Sequence, residues 1–328
     1  METSTHIFFG IGIGSLASLD PSLIGEPLPV YLSCILASNA PDFDYAAKLK
    51  GKSEYYKFHR GLSHSLVMLP LWAFLITAGF IPFIENPEFL QHLFIWNLIA
   101  VTIHVLTDVF NIHGTQALRP FTKKWISLDF IPLFDYFIFF MHSVGLMLVL
   151  AGHPPEKSFL IVYLIVSVYL LLRFTFRSFI YHQLSTNFIH GRGMKIIPNM
   201  DLYSWQVIIE LDSDYILGRY TWGQLEVDTI LKKATPPYNS WIEVSKHNQD
   251  ISNFITSTSF VYPKVVERKN ILEVRWIDLR FRKGRSFPFK ATWVYSHNNS
   301  LEKSYVGWFH HPLQFKRIKT EMANEVNK

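Results

Sequence analysis

The chain has 328 residues, of which 49% are hydrophobic and only 17% charged, and its mean hydropathy is +0.16. That balance excludes an ordinary soluble protein of this length, and equally a chain embedded throughout in lipid. The net charge of +5 is too modest for a nucleic-acid footprint, and Cys34, the lone cysteine, excludes an intrachain disulfide.

The N-terminus lacks the basic region of a secretory signal, so its first apolar run is expected to be retained. Two short apolar runs, about 7–19 and 28–39, come first. Both fall short of the roughly 20 residues that a bilayer crossing needs, so tilted, re-entrant or bundle-packed helices are expected. Four longer runs follow at about 62–84, 92–110, 130–150 and 158–180, each long enough for a span. The 28 Phe, 15 Tyr and 9 Trp fit aromatic belts at the membrane interfaces.

Loop charges alternate along these runs. Lys48, Lys50, Lys52, Lys57 and Arg60 precede the first long run, and the next loop, 85–91, has no basic residue. Arg119, Lys123 and Lys124 follow, then Lys157 alone, then Arg173, Arg177, Arg192 and Lys195 at the exit of the last run. By the positive-inside rule, residues 40–61, the 111–129 loop and everything after the last span are cytoplasmic.

From about residue 185 the period changes to that of strands. Tyr203, Trp205, Val207, Ile209 and Leu211 alternate with a second set, as do Phe289, Ala291, Trp293 and Tyr295, which reads as half-buried antiparallel strands. A phase change near Trp276-Ile277 predicts a bulge, and turn signals stand at Lys283-Gly284-Arg285 and His297-Asn298-Asn299. The expected architecture is a membrane α-helical bundle over 1–184, with four long spans and two short N-terminal helices. A small cytoplasmic β-rich domain, a sandwich or open barrel, follows over 185–328. Arg275, Arg280, Arg282, Lys283, Arg285 and Lys290 offer a basic face toward anionic lipid or a solvated strand surface. His310 and His311 read as solvent-facing.

The chemistry gathers in the N-terminal half. Pro41-Asp42-Phe43-Asp44 is followed by His59-Arg60-Gly61-Leu62-Ser63-His64-Ser65 at the mouth of the first long run. The second long run ends in His104-Val105-Leu106-Thr107-Asp108, a one-turn spacing that puts both side chains on one helix face. Taken singly, Asp42 reads as a turn or cap residue and His104–Asp108 as a hydrogen-bonded pair. Together with His6, the candidates His6, Asp42, Asp44, His59, His64, His104 and Asp108 fall on one side of the membrane, enough for one or two divalent ions. Asp42 and Asp44, on an extended strand, would divide the roles of ligand and general base. Arg60 would bind an anionic group or anchor at headgroups. His92, His142 and His153 lie nearer the opposite side and are excluded, and Asp135 reads as a helix-start carboxylate.

These motifs, in this order, with Asn111-Ile112-His113-Gly114-Thr115 and Leu118-Arg119-Pro120-Phe121 after them, resemble the YdjM-like, membrane-bound metal-dependent hydrolases. That family is also described as LexA-binding, inner-membrane-associated hydrolases. The resemblance covers about residues 1–180 and implies a multi-pass bacterial inner-membrane hydrolase. A looser similarity in ligand order reaches the zinc-dependent phospholipase C and nuclease group, although a second downstream His and Glu pair is missing; Glu210 does not fill it. The expected activity is hydrolysis of a phosphoester or lipid-linked substrate by metal-activated water, with zinc as the expected ion. The competing expectation is a non-enzymatic membrane scaffold or regulator whose β domain binds a protein partner.

Overall fold

Proline and short polar side chains set the helix starts in the N-terminal half of the computed structural model, which describes residues 1–189, 191–233, 239–268, 271–284, 286–296 and 301–309. Helix α1 (Thr3–Leu16) is the hub and packs against four others: α2 (Pro27–Ala37), α5 (Pro87–Phe110), α6 (Tyr136–Leu150) and α7 (Pro155–Asn187). Its glycines permit that. A Cβ at Gly10 would lie 2.6 Å from the Ile35 Cα, and one at Gly12 would lie 2.6 Å from the Tyr163 hydroxyl. Short α3 (Lys52–Phe58) and α4 (Met68–Ala78) complete the bundle. Pro87 opens α5 behind an Asn86 cap, whose side chain accepts the Glu88 amide at 2.9 Å. Asp135 caps α6 by accepting the Phe137 and Ile138 amides, as a helix-start carboxylate should.

The expectation of four long spans is corrected here. Among the described residues only α5, with 24 residues, and α7, with 33, are long and apolar enough to cross a membrane. Residues 62–64 form a 3-10 turn, so α4 begins only at Met68. The run at 130–150 is shortened because Ile131 forms a bridge to Asn111 and α6 waits for its Asp135 cap. The two N-terminal runs form α1 and α2 inside the bundle. Their exteriors remain apolar: Leu28 on α2, Phe140 and Met147 on α6, and Leu160, Leu164 and Leu171 on α7 all face outward. An apolar outside over a polar interior is what a lipid solvent selects.

At 1.5 Å per residue α7 is about 50 Å long, which outruns a hydrocarbon layer of about 30 Å. Its last turns carry the first of two four-stranded antiparallel meanders, β1 (Gly193–Pro198), β2 (Ser204–Glu210), β3 (Asp214–Thr221) and β4 (Gln224–Lys232). Trp205, Val207 and Ile209 pack with Ile180 and Leu184 of α7, while Ile197, Ile208 and Leu217 on the other face join the core of the next unit. The half-buried reading of 203–212 therefore fails for β2, which is covered on both sides, while β4 at the sheet's edge stays largely exposed. Arg173 of α7, fully buried, locks the arrangement by donating to the carbonyls of Phe130, Asn199 and Asp201.

The last unit places α8 (Asn239–Ser245) and α9 (Gln249–Thr256) against the second meander, β5 (Val261–Arg268), β6 (Ile271–Asp278), β7 (Phe289–Ser296) and β8 (Leu301–Trp308). Trp276 donates its indole N–H to Ser245 of α8 at 3.0 Å. Two meanders with helices on the second replace the expected sandwich or open barrel, because the polar 239–256 stretch forms helices. No bulge occurs at Trp276-Ile277, where pairing runs unbroken; the phase change marks the end of β6 at Asp278. The register shift lies instead at Leu217/Gly218. Three residues of the expected basic face have carboxylate partners: Arg275 pairs with Glu273, Arg280 with Asp278 and Arg282 with Asp228. Arg285, His297-Asn298-Asn299, His310 and His311 lie outside the described residues.

Candidate metal centre

Helix α5 supplies the first half of the site. His104 and Asp108 are both fully buried on its inward face. The His104 Nδ1 lies 2.6 Å from the Ser38 carbonyl, which can only accept, so the proton sits on Nδ1 and Nε2 presents a lone pair. Asp108 uses Oδ1 for the Asn111 amide and for the amino group of Met1, leaving Oδ2 turned toward His104.

The other half comes from the motif at 59–65 and the segment before it. Residues Ala40–Lys50 form a 3-10 helix, not the extended strand expected, so Asp42 and Asp44 point to different partners. Asp44 accepts from Ser63 Oγ at 2.5 Å, from the Arg60 amide at 3.1 Å and lies 2.8 Å from His59 Nδ1. Because the single hydroxyl proton of Ser63 goes to Asp44, its oxygen must accept from His64 Nδ1 at 2.9 Å. His64 Nε2 is thereby left without a proton, 3.2 Å from His104 Nε2 and 3.4 Å from both Asp42 Oδ1 and Asp108 Oδ2.

Four lone-pair atoms thus face one another, from Asp42, His64, His104 and Asp108, all within 4.8 Å. Asp42 Oδ1 is buried with no hydrogen-bond partner, and buried Asp108 Oδ2 has no hydrogen bond beyond its ion-pair contact with Arg60 Nε. Bringing these atoms together without a cation between them is unfavourable, and the mixed imidazole and carboxylate set suits a divalent metal. Asp42, Asp44 and His59 form a second, more exposed group that shares Asp42 with the first. His6, delivered by α1, stacks its ring on His104 at 3.8 Å, and both its ring nitrogens are buried without partners. All seven proposed ligands therefore sit in one cluster. His92, by contrast, pairs with Asp20, and His142 bonds the Ile138 carbonyl within its own helix.

Arg60 faces inward, neither at the lipid surface nor free. Its Nε is 3.1 Å from Asp108 Oδ2 and its Nη1 donates to Asn111. A φ of +62° is uncommon for a non-glycine residue, and it is held by Asp44 on the Arg60 amide and by Gln116 donating to its carbonyl. Burial pushes His64 down to about 4 despite the nearby carboxylates, which keeps its ring neutral and ready to coordinate. For Asp44, burial is the largest single influence and acts upward, but the His59 hydrogen bond, the His59 and His64 charges and the Ser63 hydroxyl together outweigh it and lower its pKa, so its carboxyl stays ionised. Sequence reasoning passed over Ser38 and Ser63, which fix the two tautomers. Ser63 stood inside the motif; nothing marked Ser38, which acts through its backbone.

A cavity of about 540 Å³ adjoins the cluster at Met1, Tyr55, His59 and Arg60, and a second of about 460 Å³ reaches Asp42. Residues 1–180 match the model of the YdjM inner membrane protein family. The chain belongs to that family. The YdjM resemblance drawn from the ordered motifs is thereby borne out over the same residues. Residues 240–318 match the YfhP C-terminal alpha/beta plait domain, which corresponds to the α8–β8 unit. The chain is similar to "Uncharacterized protein YfhP" of Bacillus subtilis (strain 168), at 34% identity over 313 residues, covering 94% of this chain and 95% of that protein. No solved structure matches significantly.

Proposed function

We propose that the buried cluster is a divalent-metal site and that this YdjM-family protein is a membrane-bound metal-dependent hydrolase. The observation that carries the reading is the convergence of His64 Nε2, His104 Nε2, Asp42 Oδ1 and Asp108 Oδ2, with the first two deprotonated by their own hydrogen bonds. Zinc suits this His/Asp set, and His6 or the Asp44–His59 pair would extend it toward a second ion. When bound, such a metal lowers the pKa of a coordinated water to about 7 and polarises a carbonyl or phosphoryl oxygen. The Asp44–His59 pair lines both cavities through His59 and is placed to move a proton at that ring. Asp42, in turn, is a ligand rather than a base. Arg60 holds Asp108 in place instead of gripping substrate directly.

The proposed substrate is a phosphoester or lipid-linked molecule at the cytoplasmic face. Charge alternation supports a multi-pass chain with a cytoplasmic C-terminal half. Metal analysis of detergent-purified full-length protein tests the site, alongside hydrolysis of bis(p-nitrophenyl) phosphate. Stoichiometric zinc and activity, both lost in His64→Ala and Asp108→Ala, are the expected result. Unchanged substoichiometric metal in wild type and variants would sink the reading.

A further inference from the structure

The larger cavity is built by both halves of the chain. Tyr56, Leu133 and Phe134 come from the helical half, and Arg280, Phe289 and Trp308 from the C-terminal plait. The two halves are clamped around it: Arg280 Nη1 donates to the Ile112 carbonyl at 3.2 Å, directly after the ligand-bearing α5. Asn253 of α9 donates to Glu54 of α3 at 3.2 Å, and the Tyr56 and Phe289 rings meet at 5.0 Å.

Its lining is both cationic and apolar. Lys48, Arg60 and Arg280 line it, against one carboxylate, Glu2. Arg60 and Arg280 answer buried Asp108 and Asp278, whereas the Lys48 ammonium rests on the Tyr45 and Tyr55 rings, 3.5 and 4.6 Å from their centroids. Among the described residues Lys48 has no carboxylate partner. The rest of the lining is largely aromatic and aliphatic, and its Leu133 and Phe134 precede α6, whose Phe137 and Phe140 face outward from the bundle.

We propose that this cavity binds an anionic, phosphate-bearing amphiphile, with the headgroup at Lys48 beside His59 and the apolar part along Phe289 and Trp308. The C-terminal plait then forms a wall of the binding site. This deepens the hydrolase reading by naming its substrate class, and only the use made of the ligand rests on that reading. The test reads binding rather than turnover. Full-length protein in phosphatidylcholine nanodiscs, stripped with chelator, is titrated with dihexanoyl phosphatidic acid while tryptophan emission is followed. Separate arms use dihexanoyl phosphatidylcholine and inorganic phosphate.

Saturable binding of the phosphatidic acid is expected, weakened about tenfold by Lys48→Glu and less by Lys48→Gln, with part of the signal removed in Trp308→Phe. Phosphatidylcholine and inorganic phosphate should each bind at least about tenfold more weakly. Equal binding of phosphatidylcholine would overturn the anionic headgroup, and equal binding of inorganic phosphate would overturn the amphiphile. Affinity unchanged in both Lys48 variants, or a signal untouched by both Trp308→Phe and Trp125→Phe, the two tryptophans that line it, would overturn the placement in this cavity. Failure here leaves the metal site standing, and loss of the metal site leaves this binding intact.

Discussion

His64 and His104 point their Nε2 atoms at each other across 3.2 Å, and each ring has already committed its proton elsewhere. Two lone pairs held that close, with two carboxylate oxygens beside them, form a candidate coordination set. Residues that bind no metal themselves decide this, so the first test falls on one of them.

Ser63→Ala removes the oxygen that holds the proton of His64 on Nδ1. The ring then loses its fixed tautomer while all four ligands remain. Metal affinity should fall about 10- to 100-fold, with stoichiometry retained, as judged by titration against a competing chelator.

Arg60→Ala leaves Asp108 buried without its guanidinium partner. Removing one member of a buried ion pair typically costs about 3–5 kcal/mol. A correspondingly lower melting temperature is expected in metal-free protein. Added zinc should recover part of the loss, because it supplies the missing positive charge.

His113 carries the pH prediction. Its folded-state pKa is lowered well below the ordinary value, first by burial and then by Arg60 and Arg280. The unfolded chain takes that proton near about pH 6.5, so it binds more protons than the folded protein below that pH. Stability contributed by neutral His113 is thus present above about pH 6.5 and is lost as pH falls below it. Chelator-treated His113→Gln should show a flatter fall in melting temperature from neutral to acid pH than the wild type; an identical slope would contradict this.

Arg173→Ala should loosen the bundle from the first sheet. The side chain is fully buried and donates to three backbone carbonyls and the Tyr169 hydroxyl, which itself bonds Asp135. Loss of about 3 kcal/mol or more is expected, read as faster limited proteolysis between α7 and β1. Metal content should change little, since Arg173 touches no ligand.

The sequence by itself determined the two-solvent character of the chain, the long apolar helices α5 and α7, and the candidate residues that gather in the buried cluster. Composition and local spacing carry such information: a His and an Asp one turn apart share a face in any helix, and a carboxylate beside a long apolar run must find a partner. Two of the four expected spans shortened because a 3-10 turn before Met68 and the Asp135 cap lie inside apolar runs, where hydropathy alone does not register them. The strand period at 204–210 was legible, but the covering of its polar-looking face was not, because the plait that buries Ile208 is distant in sequence. Tertiary structure likewise decided the protonation pattern of the site, since the Ser38 carbonyl lies 66 residues from His104 and no local pattern announces it. It alone brought Arg280 and Trp308 to the cavity beside His59, because such walls are made where separately encoded surfaces meet.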